Sequence, residues 1–177
     1  MTLATQELIL SLLGLLLVIS FLFFFLAGFF RSPFVPSNKR TIKKMLAVAQ
    51  LKKGEQVFDL GCGDGRILVR AEKHYGAQAT GYEISIFVWC LAQINRLIWN
   101  SQAKIYRRNF WQADLRKADV VFCYLLPEVM QKLSPKFKKE LKPGSRIISA
   151  AFHLPGFQLA KKYPKEKGLS TIFVYKC

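Results

Sequence analysis

Gln56-Val-Phe-Asp-Leu-Gly-Cys-Gly-Asp-Gly-Arg66 decides the fold of this 177-residue chain. Val57, Phe58 and Leu60 have the apolar character of a short buried strand, and Gly61, Gly63 and Gly65 follow at once. A chain leaving a strand through such glycines turns tightly, lets a ligand approach its backbone and can enter a helix directly. About twenty residues further on, Gln78-Ala-Thr-Gly-Tyr-Glu83 reads as a second strand ending in a carboxylate. A Rossmann-type unit carries its ribose-binding acid at that place, so the stretch predicts a nucleoside-containing cofactor.

The segments that follow extend the same pattern. Ile67, Leu68 and Ala71 give the crossover helix an apolar stripe, and Ser85 can cap a second helix running to about Asn100. In that second helix Phe87, Val88, Leu91, Ile94 and Ile98 are expected to face inward. Lys104 to Arg108 suits an exposed edge strand because its charges alternate, whereas Asp119-Val-Val-Phe-Cys-Tyr124 is a buried one. Leu126 to Leu141 reads as a helix, and Arg146 to Ala151 and Thr171 to Tyr175 as strands. Strands alternating with helices predict an α/β, Rossmann-like fold: an open, mostly parallel sheet with helices on both faces.

On the N-terminal side the composition changes abruptly. All 27 basic residues, and every acid except Glu7, lie from Arg31 onward in a chain of net charge +16. Leu8 to Phe30 is uncharged and rich in Leu, Ile and Phe; as a helix it extends about 35 Å, enough for a bilayer core of about 30 Å. A signal peptide fits less well: there is no positive n-region, the apolar run is too long, and no small-x-small cleavage site closes it. Arg31, Lys39, Arg40, Lys43 and Lys44 follow the run, so the positive-inside rule predicts a single-pass anchor with the remainder on the cytoplasmic side. Ser32 to Asn38, with Pro33 and Pro36, reads as a stiff linker. Ser37 or Asn38 can then cap a helix from Lys39 to about Gln50, with Ile42, Met45, Leu46 and Ala49 inward. Lys39, Lys43 and Lys44 on its other face suit either solvent or anionic lipid. The chain therefore divides by sequence into 8–30, 31–50 and 51–177.

Cysteines at 62, 90, 123 and 177 show no Cys-x-x-Cys spacing, so neither a disulfide framework nor a metal site is expected, and a reducing compartment suits them.

A dinucleotide fingerprint beginning at Gly61 needs glycine where Arg66 stands. The Asp-x-Gly-x-Gly-x-Gly present from Asp59 to Gly65 instead resembles motif I of class I S-adenosylmethionine-dependent methyltransferases. That resemblance implies roles. Asp59 would take the cofactor's methionine moiety, Gly61, Cys62 and Gly63 would pass against it, Glu83 would hold the ribose hydroxyls and Ile84 would lie on the adenine. Asn109 and Phe110 stand where such enzymes commonly place an acid on the adenine amine. The amide oxygen of Asn109 can accept that bond, although Asn is also an ordinary turn residue.

Pro33-Phe34-Val35-Pro36 after an apolar helix, Asp59 to Ile67, Gly81-Tyr-Glu83, Asn109-Phe-Trp111, Leu126-Pro127 and Pro155-Gly-Phe157 are together similar to a narrower group. They resemble the small membrane-anchored lysine methyltransferases that modify the ATP synthase c subunit and the adenine nucleotide translocase. The likeness implies that Pro33 to Thr41 folds over the cofactor, with Phe34 and Pro36 lining the acceptor pocket and Thr41 touching the methionine carboxylate. A plain linker with a helix cap is the other reading of that segment. Tyr124, Leu125, Leu126 and Pro127 leave the fourth strand at its carboxyl end, where open α/β sheets bind ligands, and are the acceptor-site candidates. Glu128 suits a helix-dipole position as well as a base, a lone His153 suits a structural role, and His74 suits the surface.

Three rival functions remain from sequence alone. Basic runs at 104–108, 132–142 and 161–167 fit a nucleic-acid substrate, but Tyr124-Leu-Leu-Pro127 is not the Asn/Asp-Pro-Pro-aromatic motif of amino-methylating nucleic-acid enzymes. A lipid or small-molecule methyltransferase and a non-catalytic cofactor-binding module are the others. The expected partners are a membrane and a membrane-protein substrate rather than a nucleic acid.

Overall fold

Valine, isoleucine and phenylalanine in runs of four or five between glycine turns and amphipathic helices produce a sheet buried on both faces. The computed structural model describes residues 3–29 and 37–177, with side chains of the first helix described for 5–23. In order, the elements are α1 (Leu3–Phe29), α2 (Lys39–Ala49), β1 (Gln56–Leu60), α3 (Arg66–Tyr75), β2 (Gln78–Tyr82), α4 (Ile86–Ile98) and β3 (Lys104–Tyr106). A single 3-10 turn (Phe110–Gln112), β4 (Val120–Cys123), α5 (Pro127–Glu140), β5 (Arg146–Ala150), β6 (Leu159–Tyr163) and β7 (Ile172–Lys176) complete them. Contacts divide the chain into two compact units, 1–35 and 36–177.

In the first unit, Thr5–Phe23 is long and apolar enough to cross a membrane, with mean hydropathy 2.2. Pro33 to Pro36, including the pocket candidates Phe34 and Pro36, lies outside the described residues.

In the second unit the seven strands are ordered β3-β2-β1-β4-β5-β7-β6. Strands β3 to β5 in that order run parallel, and β7 is antiparallel to both β5 and β6. Helices α2 and α3 cover one face through Ile42, Met45, Leu46, Ala49, Ile67 and Ala71, and Leu68 continues that layer to Ala92 of α4. Met130, Leu133 and Phe137 of α5 cover the opposite face against Phe58, Val121 and Ile147. The Asn38 side chain caps α2 by accepting the Arg40 amide at 2.9 Å. All four residues expected inward on α2 are buried.

One expectation fails, for a physical reason. It concerns α4, whose inward side is Val88 and Ala92, while Phe87, Leu91, Ile94 and Ile98 point to solvent. Helix α4 lies over the short edge strand β3, and close approach there selects Ala92 with Trp89 and Gln93, whose Nε1 and Nε2 both donate to the Ile105 carbonyl. Ser85 stands at the N-cap of this helix without a side-chain capping bond. Strand β6 carried no signal in the sequence. Leu159-Ala-Lys-Lys-Tyr163 has no alternation, and four of its five residues are exposed. Its strand character comes from pairing with β7, and it blunts the sheet edge with lysines.

Candidate active site

The site grows from the carboxyl ends of β1, β2 and β4, which lie side by side. Leu60 pairs with Tyr82 on one side and Cys123 on the other, so the three exits leave the sheet together. Gly61, Gly63 and Gly65 adopt positive φ angles of 76°, 57° and 73°, conformations that side-chain-bearing residues rarely hold. The turn is braced from within. Gly61 and Cys62 amides donate to the Tyr82 carbonyl at 3.0 Å, and the Gly65 amide donates to the Cys62 carbonyl. Asn95 of α4, which carried no sequence signal for this role, donates to the Asp64 carbonyl at 3.1 Å. Asp64 itself pairs with Arg66, whose guanidinium also reaches the Ser37 carbonyl at 3.3 Å.

Glu83 follows β2 and meets the turn. One carboxylate oxygen accepts the Gly63 amide at 3.1 Å and the other accepts the Ser85 amide at 2.9 Å. Each oxygen keeps a second lone pair, so the same carboxylate can take a pair of hydroxyls.

Asp59 is 4% exposed at the end of β1. Among the described residues nothing donates to its carboxylate. Burial pushes the carboxyl up to about 8, and the charges of Glu83 and Asp64 push the same way. A buried, unpartnered acid is costly unless a cation or donor meets it. Beside a glycine turn and a carboxylate with lone pairs to spare, it could meet the charged methionine end of S-adenosylmethionine. Cys62 does not compete: its thiol is buried and pushed well above the ordinary range, which leaves it inert.

Other expected residues sit as follows. Ile84 is 66% exposed directly after Glu83, open for a planar group to lie against. Asn109 accepts the Trp111 amide at 3.1 Å and so caps the 3-10 turn, keeping one lone pair on its oxygen. Phe110 is half-buried and its ring lies 5.3 Å from that of Trp111. Thr41 is fully buried, and its hydroxyl accepts the Ser170 amide at 3.0 Å while keeping its own proton to donate. Leu125 lies against the turn: a Cβ on Gly61 would stand 3.1 Å from its Cδ2. The exit of β4 is thus pressed against the glycines. Tyr124 is half-buried against the α2-side core, and Leu126 and Pro127 are exposed at the start of α5.

His153 Nδ1 lies 2.9 Å from the Tyr175 hydroxyl, which also accepts the Leu154 amide, so the ring is held to the last strand. Glu128 occupies the first turn of α5.

A parallel sheet closed by an antiparallel seventh strand, with a glycine turn after β1 and a carboxylate after β2, is that of a class I S-adenosylmethionine-dependent methyltransferase. Residues 59–161 match the ANTKMT methyltransferase domain. The chain belongs to that family. It is 36% identical over 146 residues to a protein-lysine N-methyltransferase of Saccharolobus islandicus, covering 81% of this chain and 91% of that protein. To the adenine nucleotide translocase lysine N-methyltransferase of Mus musculus it is 33% identical over 128 residues, 71% of this chain and 56% of the relative. To the lysine N-methyltransferase of the ATP synthase c subunit in Rattus norvegicus it is 29% identical over 147 residues, 81% of this chain and 65% of the relative. Among solved structures, an RNA methyltransferase of Salinibacter ruber in complex with S-adenosyl-L-homocysteine superposes with a TM-score of 0.76 at 30% identity, covering 80% of this chain and 93% of that one. The chain is an S-adenosylmethionine-dependent methyltransferase of a lysine-methylating family.

Proposed function

We propose that this enzyme methylates lysine side chains of a membrane-associated protein, with α1 as a single-pass anchor and the second unit on the cytoplasmic side. The observation that carries the acceptor reading is the packing of Leu125 against Gly61. It brings an uncharged strip, Tyr124 to Pro127, to the glycine turn, suited to a neutral amine threaded between apolar walls. The relatives named for the adenine nucleotide translocase and the ATP synthase c subunit act on membrane proteins, and Thr5–Phe23 has the length and composition of an anchor.

Bound S-adenosylmethionine supplies a methyl group on a cationic sulfur, which an amine nitrogen displaces in line. The nitrogen lone pair forms the N–C bond, the S–C electron pair returns to sulfur, and a proton leaves the new ammonium for water. The chain's residues mainly orient the partners. Asp59 takes the positive charge at the methionine end, with Thr41 at its carboxylate. Glu83 holds the ribose hydroxyls. Ile84, Asn109 and Phe110 receive the adenine, and Gly61, Cys62 and Gly63 let the cofactor pass against their backbone. Tyr124 and Pro127 line the acceptor slot. An arriving lysine must lose its proton, and desolvation in that slot lowers its pKa without a dedicated base.

RNA is the second reading, favoured by the net charge of +16 and the name of the Salinibacter relative. Full-length enzyme incubated with cell membranes, RNA and methyl-labelled cofactor tests both. Label recovered as methyl-lysine in membrane protein supports the proposal. Label in RNA or in extracted lipid overturns it.

A further inference from the structure

The second unit exposes an apolar surface with one location. Of the twelve large apolar side chains exposed in residues 37–177, eight fall between Ile84 and Trp99. On α4, Phe87, Leu91, Ile94 and Ile98 follow one another at spacings of three and four and so form a single outward stripe, with Leu97 beside it. Phe87 is 61% exposed and Ile98 75%. The only charged residue of this helix, Arg96, is half-buried and donates to Gln93, so no charge interrupts the stripe. Monomeric soluble proteins seldom leave such a surface bare without a binding role.

Its surroundings identify the occupant. Helices α2, α3 and α4 line the same face of the sheet, joined through Ile42, Ile67, Leu68 and Ala92. Beside the stripe, Lys39 and Lys43 of α2 and Arg70 and His74 of α3 line a groove. Trp99 ends the helix 6.4 Å from His74, an amphipathic ring at the border between apolar and basic zones. An apolar helix face edged by Trp and by Lys and Arg is the pattern of a helix lying in the interface of an anionic bilayer. The point where the unit joins the rest of the chain lies on the same side. Ser37 meets Arg66 at the start of α3, at the carboxyl end of the sheet where α4 also starts. Eight peptide links separate Phe29 from Ser37, a reach of at most about 28 Å, so an anchored α1 keeps this unit near lipid.

We infer that the outward face of α4, with the basic α2–α3 groove beside it, docks on an anionic lipid bilayer and holds the cofactor site at the membrane surface. The inference rests on the membrane reading proposed above. Glu83 and Ile84 lead directly into α4, so docking places the ribose and adenine end of the site next to the headgroups, and acceptor lysines close to the membrane surface come within reach.

Cys90 lies exposed on α4, whereas Cys62 and Cys123 are buried. In full-length Cys177→Ser protein, a nitrobenzoxadiazole maleimide on Cys90 therefore reports on this face. After reconstitution into vesicles of phosphatidylcholine and phosphatidylglycerol, the probe's emission shifts to the blue and is quenched by doxyl-labelled lipid. Leu91→Glu/Ile94→Glu abolishes the quenching while cofactor affinity in detergent is unchanged. Resistance to alkaline carbonate extraction reports separately on α1. Extraction-resistant protein with an unquenched, solvent-exposed probe overturns the docking and leaves the anchor standing. A blue-shifted but unquenched probe, with Cys90–Cys90 cross-linking in the unlabelled protein, assigns the face to a second copy and also overturns it. Extractable protein that is still quenched by lipid refutes the anchor and supports the docking; extractable and unquenched protein refutes both.

Discussion

Glu83 and Gly63 are joined by a 3.1 Å hydrogen bond from the glycine amide to Oε2, so the acid proposed to receive the ribose also fixes the turn beneath it. Its other oxygen fixes the start of α4 through the Ser85 amide. Glu83→Ala removes the hydroxyl acceptor and frees two amides at once. Charge-assisted bonds of this kind contribute about 1.5–3 kcal/mol each. Calorimetric titration of the variant is expected to show S-adenosylmethionine affinity lowered by about a hundredfold or more. Glu83→Gln retains one acceptor oxygen and falls between. An Ala variant binding like the parent refutes the assignment.

With the cofactor's positive charge at Asp59, as proposed, cofactor binding is expected to depend on pH. Its proton is held to about 8 in the free protein, against about 4 in an unfolded chain. The free protein therefore binds more protons than the unfolded chain between those values, and its stability falls as pH rises from 4 towards 8. A cation placed beside the carboxylate favours ionisation, so cofactor binding releases a proton below pH 8 and tightens as pH rises to that point. Titration calorimetry at pH 7 in buffers of different ionisation enthalpy reads the release directly. Asp59→Asn is expected to abolish it, weaken binding and flatten the stability profile. Proton uptake on binding, or no linkage at all, contradicts the placement of positive charge at Asp59.

Gly81 tests the packing under the turn. A Cβ there would run into Leu68 Cδ1 and stand 2.8 Å from Cys62 Sγ. Overpacking of this kind costs about 1–3 kcal/mol. Gly81→Ala is expected to lower the denaturation midpoint and to weaken cofactor binding as well, because Cys62 is part of the turn. A variant with lost stability but parental affinity dissociates the two.

These tests follow the division between what the residues announce and what only packing reveals. The run Val57 to Leu60 followed by three glycines names strand, turn and ligand together, because no other residue holds those φ values as readily. The parallel core was legible for the same reason: Val120 to Cys123 and Ile147 to Ala150 are apolar at nearly every position. β6 was not, since Lys161 and Lys162 give no alternation and the strand exists through its partner β7. The helical period of α4 was legible but its orientation was not. Periodicity identifies an apolar stripe without saying whether protein or another apolar medium covers it. Asn95 and Thr41 act through contacts 31 and 129 residues away, which no local pattern contains.

Thr41 separates structural from cofactor roles. Its hydroxyl accepts the Ser170 amide across 129 residues, tying α2 to the entry of β7, and still carries a proton to donate. Thr41→Val keeps the volume and leaves that amide without its partner, a loss of about 1–3 kcal/mol. Thermal denaturation without ligand is expected to show this loss in Thr41→Val and to be largely restored in Thr41→Ser. If the same hydroxyl donates to the methionine carboxylate, the valine variant also binds S-adenosylmethionine more weakly, while 5′-methylthioadenosine, which lacks that carboxylate, binds as it does to the parent. Equal weakening for both ligands assigns Thr41 to the scaffold alone, because only a direct contact with the carboxylate discriminates between them.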